Sequence, residues 1–194
     1  FPNGAVITPD GSTLILLHGT GGNEASLLPF GRKIAPRATL IGLRGRSTEE
    51  GVARFFRRFG PRDFDQQDII SESEVFAAFI EEAVASYQLD PAKLHFAGYS
   101  NGANLLAAAI MLHPGLVRNA LLLRPVPVLA DPPQARLDGI RISIVTGDDD
   151  PATIDGEALG AQLEARGADV SLTRVAGNHA LSDEDVAVSA AWYG

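Results

Sequence analysis

The stretch "HFAGYSNGAN" (residues 95–104) sets Gly98, Ser100 and Gly102 at the join of an apolar, strand-like run and an alanine- and leucine-rich, helix-like one. A strand that turns at once into a helix needs small residues where the two backbones cross. A serine at the tip of that turn has two readings. One is a buried hydroxyl that caps the helix. The other is a nucleophile on a strained corner, its Oγ lifted clear by the flanking glycines.

Strand followed by helix is also the pattern of the whole chain. Apolar, β-branched-rich runs predict strands over 12–18, 38–44, 93–98, 119–124, 140–146 and 169–175. The first five are nearly continuous in apolarity, as strands covered on both faces are. The last alternates, with Val170, Leu172 and Val175 among polar neighbours, and suits an edge. Between them, Val75, Phe76, Phe79, Ile80, Ala83, Val84 and Tyr87 form one face of a helix over 72–88, with Ser71 and Glu74 at capping-box spacing. Helices are also predicted over 101–112, 155–166 and 183–193, the last opening on Ser182 and Asp185. A further helix near 24–35 contains Pro29 and Gly31. The alternation predicts an α/β fold with a mostly parallel central sheet and helices on both faces. No linker interrupts it, so residues 1–194 are expected to form one domain.

Composition narrows the partners. A net charge of −8 disfavours duplex DNA and anionic membrane, which reward clustered cations. No apolar run approaches the roughly 20 residues of a membrane helix. The absence of cysteine excludes disulfides, thiolate metal sites and a cysteine nucleophile. The chain begins at Phe1, so an upstream segment, a targeting signal among the options, is expected to have been removed or to lie outside this sequence.

In parallel sheets the chemistry gathers beyond the carboxyl ends of the strands. There the chain places "HGTGGNE" (18–24), "RGR" (44–46), "GYSNG" (98–102), "GDDDP" (147–151) and "AGNHALS" (176–182). Serine, acid and histidine follow one another in order, each in a loop past a strand. A serine hydroxyl is a weak nucleophile without a base. Of four histidines, His95 lies inside a strand, His113 at the far end of the helix after Ser100, and His18 before the first glycines. His179 is the one placed to serve Ser100. Asp148, Asp149 or Asp150 could orient it; the same run also reads as a solvated turn, a helix cap before Pro151, or a cation site. Main-chain amides of Thr20 and Asn101 are candidates for an oxyanion hole.

These segments resemble the α/β-hydrolase superfamily, and within it the carboxylesterase/phospholipase-type branch of small serine esterases. "LILLHGTGGNE" (14–24), "LHFAGYSNGANLL" (94–106), "VTGDDDP" (145–151) and "GNHALS" (177–182) are similar to that branch's oxyanion, nucleophile, acid and histidine segments, in its order. "RGR" followed by "GVARFFRRFG" (51–60) resembles a subgroup of bacterial esterases associated with hydroquinones or catechols. The resemblance implies an α/β-hydrolase fold without a large cap domain. Its G-x-x-D-P pattern implies Asp150 as the acid. It also implies hydrolysis of a carboxylic ester through an acyl-serine, with no cofactor and no metal, and an N-terminus that lacks the family's first strand.

The long connection over 44–70 carries Arg44, Arg46, Arg54, Arg57, Arg58 and Arg62, with Phe55, Phe56, Phe59 and Phe64. It is expected either to wall the site with aromatic and positive groups, with Arg44, Phe55 and Phe56 binding substrate, or to form a short helix that buries its phenylalanines and pairs its arginines. The expected activity is a small-molecule carboxylesterase, cytoplasmic, monomeric or homodimeric, without nucleic-acid or membrane partners. Thioester hydrolysis by the same residues, or a hydrolase-like binding protein without turnover, are the alternatives.

Overall fold

The computed structural model describes residues 9–49 and 51–194. The expectation about the N-terminus lies outside the described residues. Among the described residues, eight strands and five α-helices follow one another: β1 (Thr13–Leu17), α1 (Leu28–Ile34), β2 (Thr39–Leu43), β3 (Arg58–Gly60), β4 (Asp63–Phe64), α2 (Gln66–Tyr87), β5 (Leu94–Tyr99), α3 (Asn101–Leu112), β6 (Asn119–Leu123), β7 (Arg141–Gly147), α4 (Thr153–Glu164), β8 (Asp169–Val175) and α5 (Asp183–Tyr193). Six strands form one sheet in the order β2-β1-β5-β6-β7-β8. Every neighbouring pair in it is parallel. Strands β3 and β4 make a separate antiparallel pair.

Alternation along each strand feeds two cores. Ile15, Leu17, Phe96, Leu122, Ile142 and Ile144 face one side, where they meet α2, α3 and α4. Leu14, Leu16, Ala97, Leu121, Leu123 and Val145 face the other, against α1 and α5. Helix α3 buries eleven of its twelve residues, which is why its composition is apolar all round rather than striped.

This order creates a switch point. The chain leaves β1 for β2 on one side, then crosses back to β5 on the other. The helices that follow β1 and β5 pack on opposite faces. A crevice therefore opens beyond the ends of these two strands, where "HGTGG" and "GYSNG" lie.

The strands fall where the apolar runs predict them, and three details differ. Strand β2 is an edge, and Leu40 to Leu43 are only half-buried, so it is not covered on both faces. Helix α2 starts at Gln66 rather than 72, because the Asp65 carboxylate caps it by accepting the Asp68 N–H at 3.2 Å. Ile69, fully buried, extends the inward stripe of the helix, while Tyr87 is 67% exposed. The segment around "VARFFRRF" forms an isolated bridge, Ser47 to Arg54, and strand β3 rather than a helix. Among the described residues no helix is long and apolar enough to cross a membrane.

Candidate active site

Ser100 ends β5 and opens α3 with φ +50° and ψ −113°. An L-residue pays a steric penalty in that region and persists there only when its surroundings fix it. The neighbouring glycines are such a constraint. A Cβ on Gly102 would lie 2.3 Å from the Leu17 carbonyl oxygen, and one on Gly98 would lie 2.6 Å from the Ala103 backbone. Only bare backbone lets α3 cross β1 and β5 so closely. The turn thus points Ser100 into the crevice and sets Asn101 at the first helical position, where an amide has no intrahelical partner.

His179 follows β8 and approaches Ser100 from the other side. Its Nε2 lies 2.9 Å from Ser100 Oγ, and its Nδ1 lies 2.8 Å from Asp150 Oδ2. Asp150 is buried, whereas Asp148 and Asp149 are exposed. The other Asp150 oxygen accepts the Ala152 N–H at 2.9 Å. Gly147 makes room for the approach, since a Cβ there would meet the Asn178 and Gly177 carbonyls at 2.5 Å. The structure therefore brings Ser100, His179 and Asp150 into one hydrogen-bonded line.

The loop that carries His179 is held by residues with no signature in the sequence. The Tyr99 hydroxyl donates to the His179 carbonyl at 3.0 Å, and burial pushes this phenol's pKa above its ordinary value. Arg124, at the end of β6 and 1% exposed, donates through Nε to the Asn178 carbonyl at 3.0 Å. Its Nη1 and Nη2 reach the Asp185 carboxylate at 2.7 and 3.0 Å, and Nη2 lies 3.5 Å from the Ala180 carbonyl. Arg124 Nε is also 3.8 Å from Asp150 Oδ2. Asp185 completes a capping box with Ser182 at the start of α5, so this one carboxylate joins helix, arginine and histidine loop.

Thr20 and Asn101 flank the crevice on the β1 side. The Thr20 hydroxyl accepts from Arg54 Nη1 at 2.9 Å, and the Gly21 N–H donates to the Ala53 carbonyl at 2.8 Å. Asn101 Oδ1 accepts the Phe55 N–H at 2.7 Å. His18 Nδ1 donates to the Gly19 carbonyl at 2.6 Å, while its Nε2 accepts the Gly45 N–H at 3.0 Å. These partners require the neutral tautomer with hydrogen on Nδ1. Burial holds the pKa of His18 below the usual histidine value. Gly45 and the stretch 53–55 are thereby fastened beside the loop after β1, and the Thr20 side chain has a structural part that a purely main-chain role does not anticipate.

The expected aromatic and positive wall takes a different form. Phe56 is fully buried and packs edge-on against Phe64, so it cannot line an open site. Phe55 is 5% exposed and stacks on His18 at 4.8 Å. The guanidinium of Arg44 is taken by Glu24 through a two-pronged contact. Arg46 pairs with Glu72, Arg57 with Asp65 and Arg62 with Asp155. Arg44 and Phe55 do line a groove of about 760 Å³ between β2 and α2, whose lining does not include His179. A second cleft, of about 860 Å³, opens beside His179 itself and includes Phe64. Among the described residues no three His, Cys, Asp or Glu side chains group as a metal site.

The comparisons with known proteins agree with the fold. The Bacillus subtilis (strain 168) protein named "Putative hydrolase MhqD" is 34% identical over 184 residues, covering 94% of this chain and 92% of its own. The chain belongs to the α/β-hydrolase family. Within the family it is similar to a carboxylesterase from Mesorhizobium loti, at 41% identity and a TM-score of 0.92 over 95% of this chain and 89% of that one. A Bacillus cereus carboxylesterase matches at 33% identity and a TM-score of 0.89, over 94% and 87%. No family model matches the chain.

Proposed function

We propose that this protein is a carboxylesterase that works through an acyl-serine intermediate. The observation that carries the reading is the line from Asp150 through His179 to Ser100, with contacts of 2.8 and 2.9 Å. Membership of a family whose similar structures include carboxylesterases supports it.

In this reading His179 Nε2 takes the proton of Ser100 as Oγ bonds to the ester carbonyl carbon. Asp150 stays ionised, holds the imidazole in the tautomer with hydrogen on Nδ1, and stabilises the imidazolium. The negative charge that develops on the carbonyl oxygen is met by the Thr20 and Asn101 amides, the second helped by the positive end of α3. The bond from carbon to the alcohol oxygen then breaks, and the proton on His179 passes to that oxygen. Water attacks the acyl-serine, again losing its proton to His179. Collapse releases the acid and returns the proton to Ser100. No other reactant enters. We read the protein as one domain acting on small esters in the cytoplasm, as a monomer or homodimer.

A fluorophosphonate probe tests the mechanism. It should label Ser100 in the wild type, fail with Ser100→Ala, and react far more slowly with His179→Ala. Asp150→Asn should lower kcat by about 10⁴, with Asp148→Asn and Asp149→Asn close to wild type. Labelling of His179→Ala at the wild-type rate would sink the mechanism, and loss of activity in Asp148→Asn alone would sink the choice of acid.

A further inference from the structure

The cleft beside His179 lies between two chain segments, 61–66 and 126–130. Its walls are apolar: Phe64 on one side, Val126, Pro127, Val128 and Leu129 on the other. Its charged rim is largely neutralised, because Arg62 at the mouth is ion-paired with Asp155 at 2.7 Å. Asp63 adds negative charge at the same mouth.

One side chain ties the walls together. Gln66 Nε2 donates to the Phe64 and Val128 carbonyls, each at 3.0 Å. Its Oε1 accepts the Ala130 N–H at 2.8 Å. Thus all three bonds come from a single amide spanning segments more than 60 positions apart in sequence. The 126–130 wall is also fixed from beneath, where Asn104 on α3 accepts the Val126 N–H at 2.8 Å.

Sheet order says which half of an ester this cleft would hold. Thr20 follows β1, on one side of Ser100, while the 126–130 segment, Asp150 and His179 follow β6, β7 and β8 on the other. A general acid must reach the oxygen it protonates. The departing alcohol therefore lies on the His179 side, and the oxyanion on the Thr20 side. We propose that the cleft between 61–66 and 126–130 is the alcohol site, that it takes an uncharged aryl or branched-alkyl alcohol group, and that Gln66 sets its width. This rests on the acyl-serine reading above.

The test uses acetates that share an acyl group and differ in the alcohol: phenyl, 1-naphthyl and 4-carboxyphenyl, with methyl and cyclohexyl as an alkyl pair. Phenol and 1-naphthol leave with similar ease, so their ratio reports binding rather than leaving-group chemistry. The wild type should favour 1-naphthyl over phenyl and cyclohexyl over methyl by about tenfold or more in kcat/KM, and should disfavour the carboxylated ring. Leu129→Trp, which fills the cleft from a half-buried position, should erase the naphthyl preference. Gln66→Glu, which keeps the acceptor for Ala130 but loses both donated bonds, should weaken the preference for the larger alcohol in both pairs. If the probe labels Ser100 but the ratios are flat in the wild type, or survive unchanged in both variants, the alcohol site is wrong and the esterase reading stands. If Ser100 is not labelled, the esterase reading itself has failed.

Discussion

Arg124 is the residue on which the His179 side of the site turns. It is a fully buried cation whose donors go to the Asp185 carboxylate and to backbone carbonyls on both sides of His179. Breaking a buried pair by removing one partner leaves the other charge stranded, whereas replacing both with apolar groups is often neutral. Arg124→Met should therefore lose about 3–5 kcal/mol of stability in urea unfolding. Arg124→Met with Asp185→Leu should regain only part of that, since the Ser182 capping bonds go with Asp185, yet keep a kcat depressed by on the order of 10²-fold, because the Asn178 and Ala180 carbonyls still lack their donor and His179 drifts. Recovery of kcat together with stability would show that the pair only holds the fold. The meeting of Ser100 and His179 was legible in the sequence because each lies in a loop past the carboxyl end of a predicted parallel strand, where side chains converge. Arg124 was not. An arginine at the end of "NALLLR" reads the same whether it leaves for solvent or, as here, turns inward with φ +54°.

At the scale of elements, backbone crossings explain both what was legible and what was not. The strand limits follow from runs of apolar residues, and the small residues of the elbow mark where α3 must pass β1. Gly102 is the tightest of these, with the Leu17 carbonyl where its Cβ would be. Gly102→Ala should destabilise by roughly 1–3 kcal/mol or more, seen as a lowered thermal midpoint, and should reduce Ser100 labelling in the fraction that folds. An alanine variant with wild-type stability and labelling would mean the crossing is looser than the structure has it. Which of the two readings of the 44–70 connection would hold was not legible, for an equally physical reason. Charge and aromatic content do not say which face a residue takes when no period is present. Its phenylalanines divide between core, groove, cleft and surface, and Phe59 alone is 69% exposed.

Across the whole molecule, the loop after β1 and the segment after β2 are joined through His18, and that joint responds to pH. In the folded protein His18 is held neutral between a carbonyl and an N–H, and its pKa lies below the ordinary 6.5. The unfolded chain binds the proton more readily, so stability is full above pH 6.5 and falls as the pH drops below it. His18→Gln, which can donate and accept without titrating, should flatten the fall in unfolding free energy between about pH 7 and 5. Parallel curves for the two proteins would remove His18 as the cause. The other depressed histidine, His95, is common to both and cancels.

Ser100 and His179 stand 79 positions apart, and they meet only once β5, β6, β7 and β8 lie side by side. Collapse and helix formation can run ahead of that event, since neither needs the last strand in register. Turnover during refolding is therefore a clock for the slow, long-range closing of the sheet, and it should lag behind recovery of far-ultraviolet ellipticity.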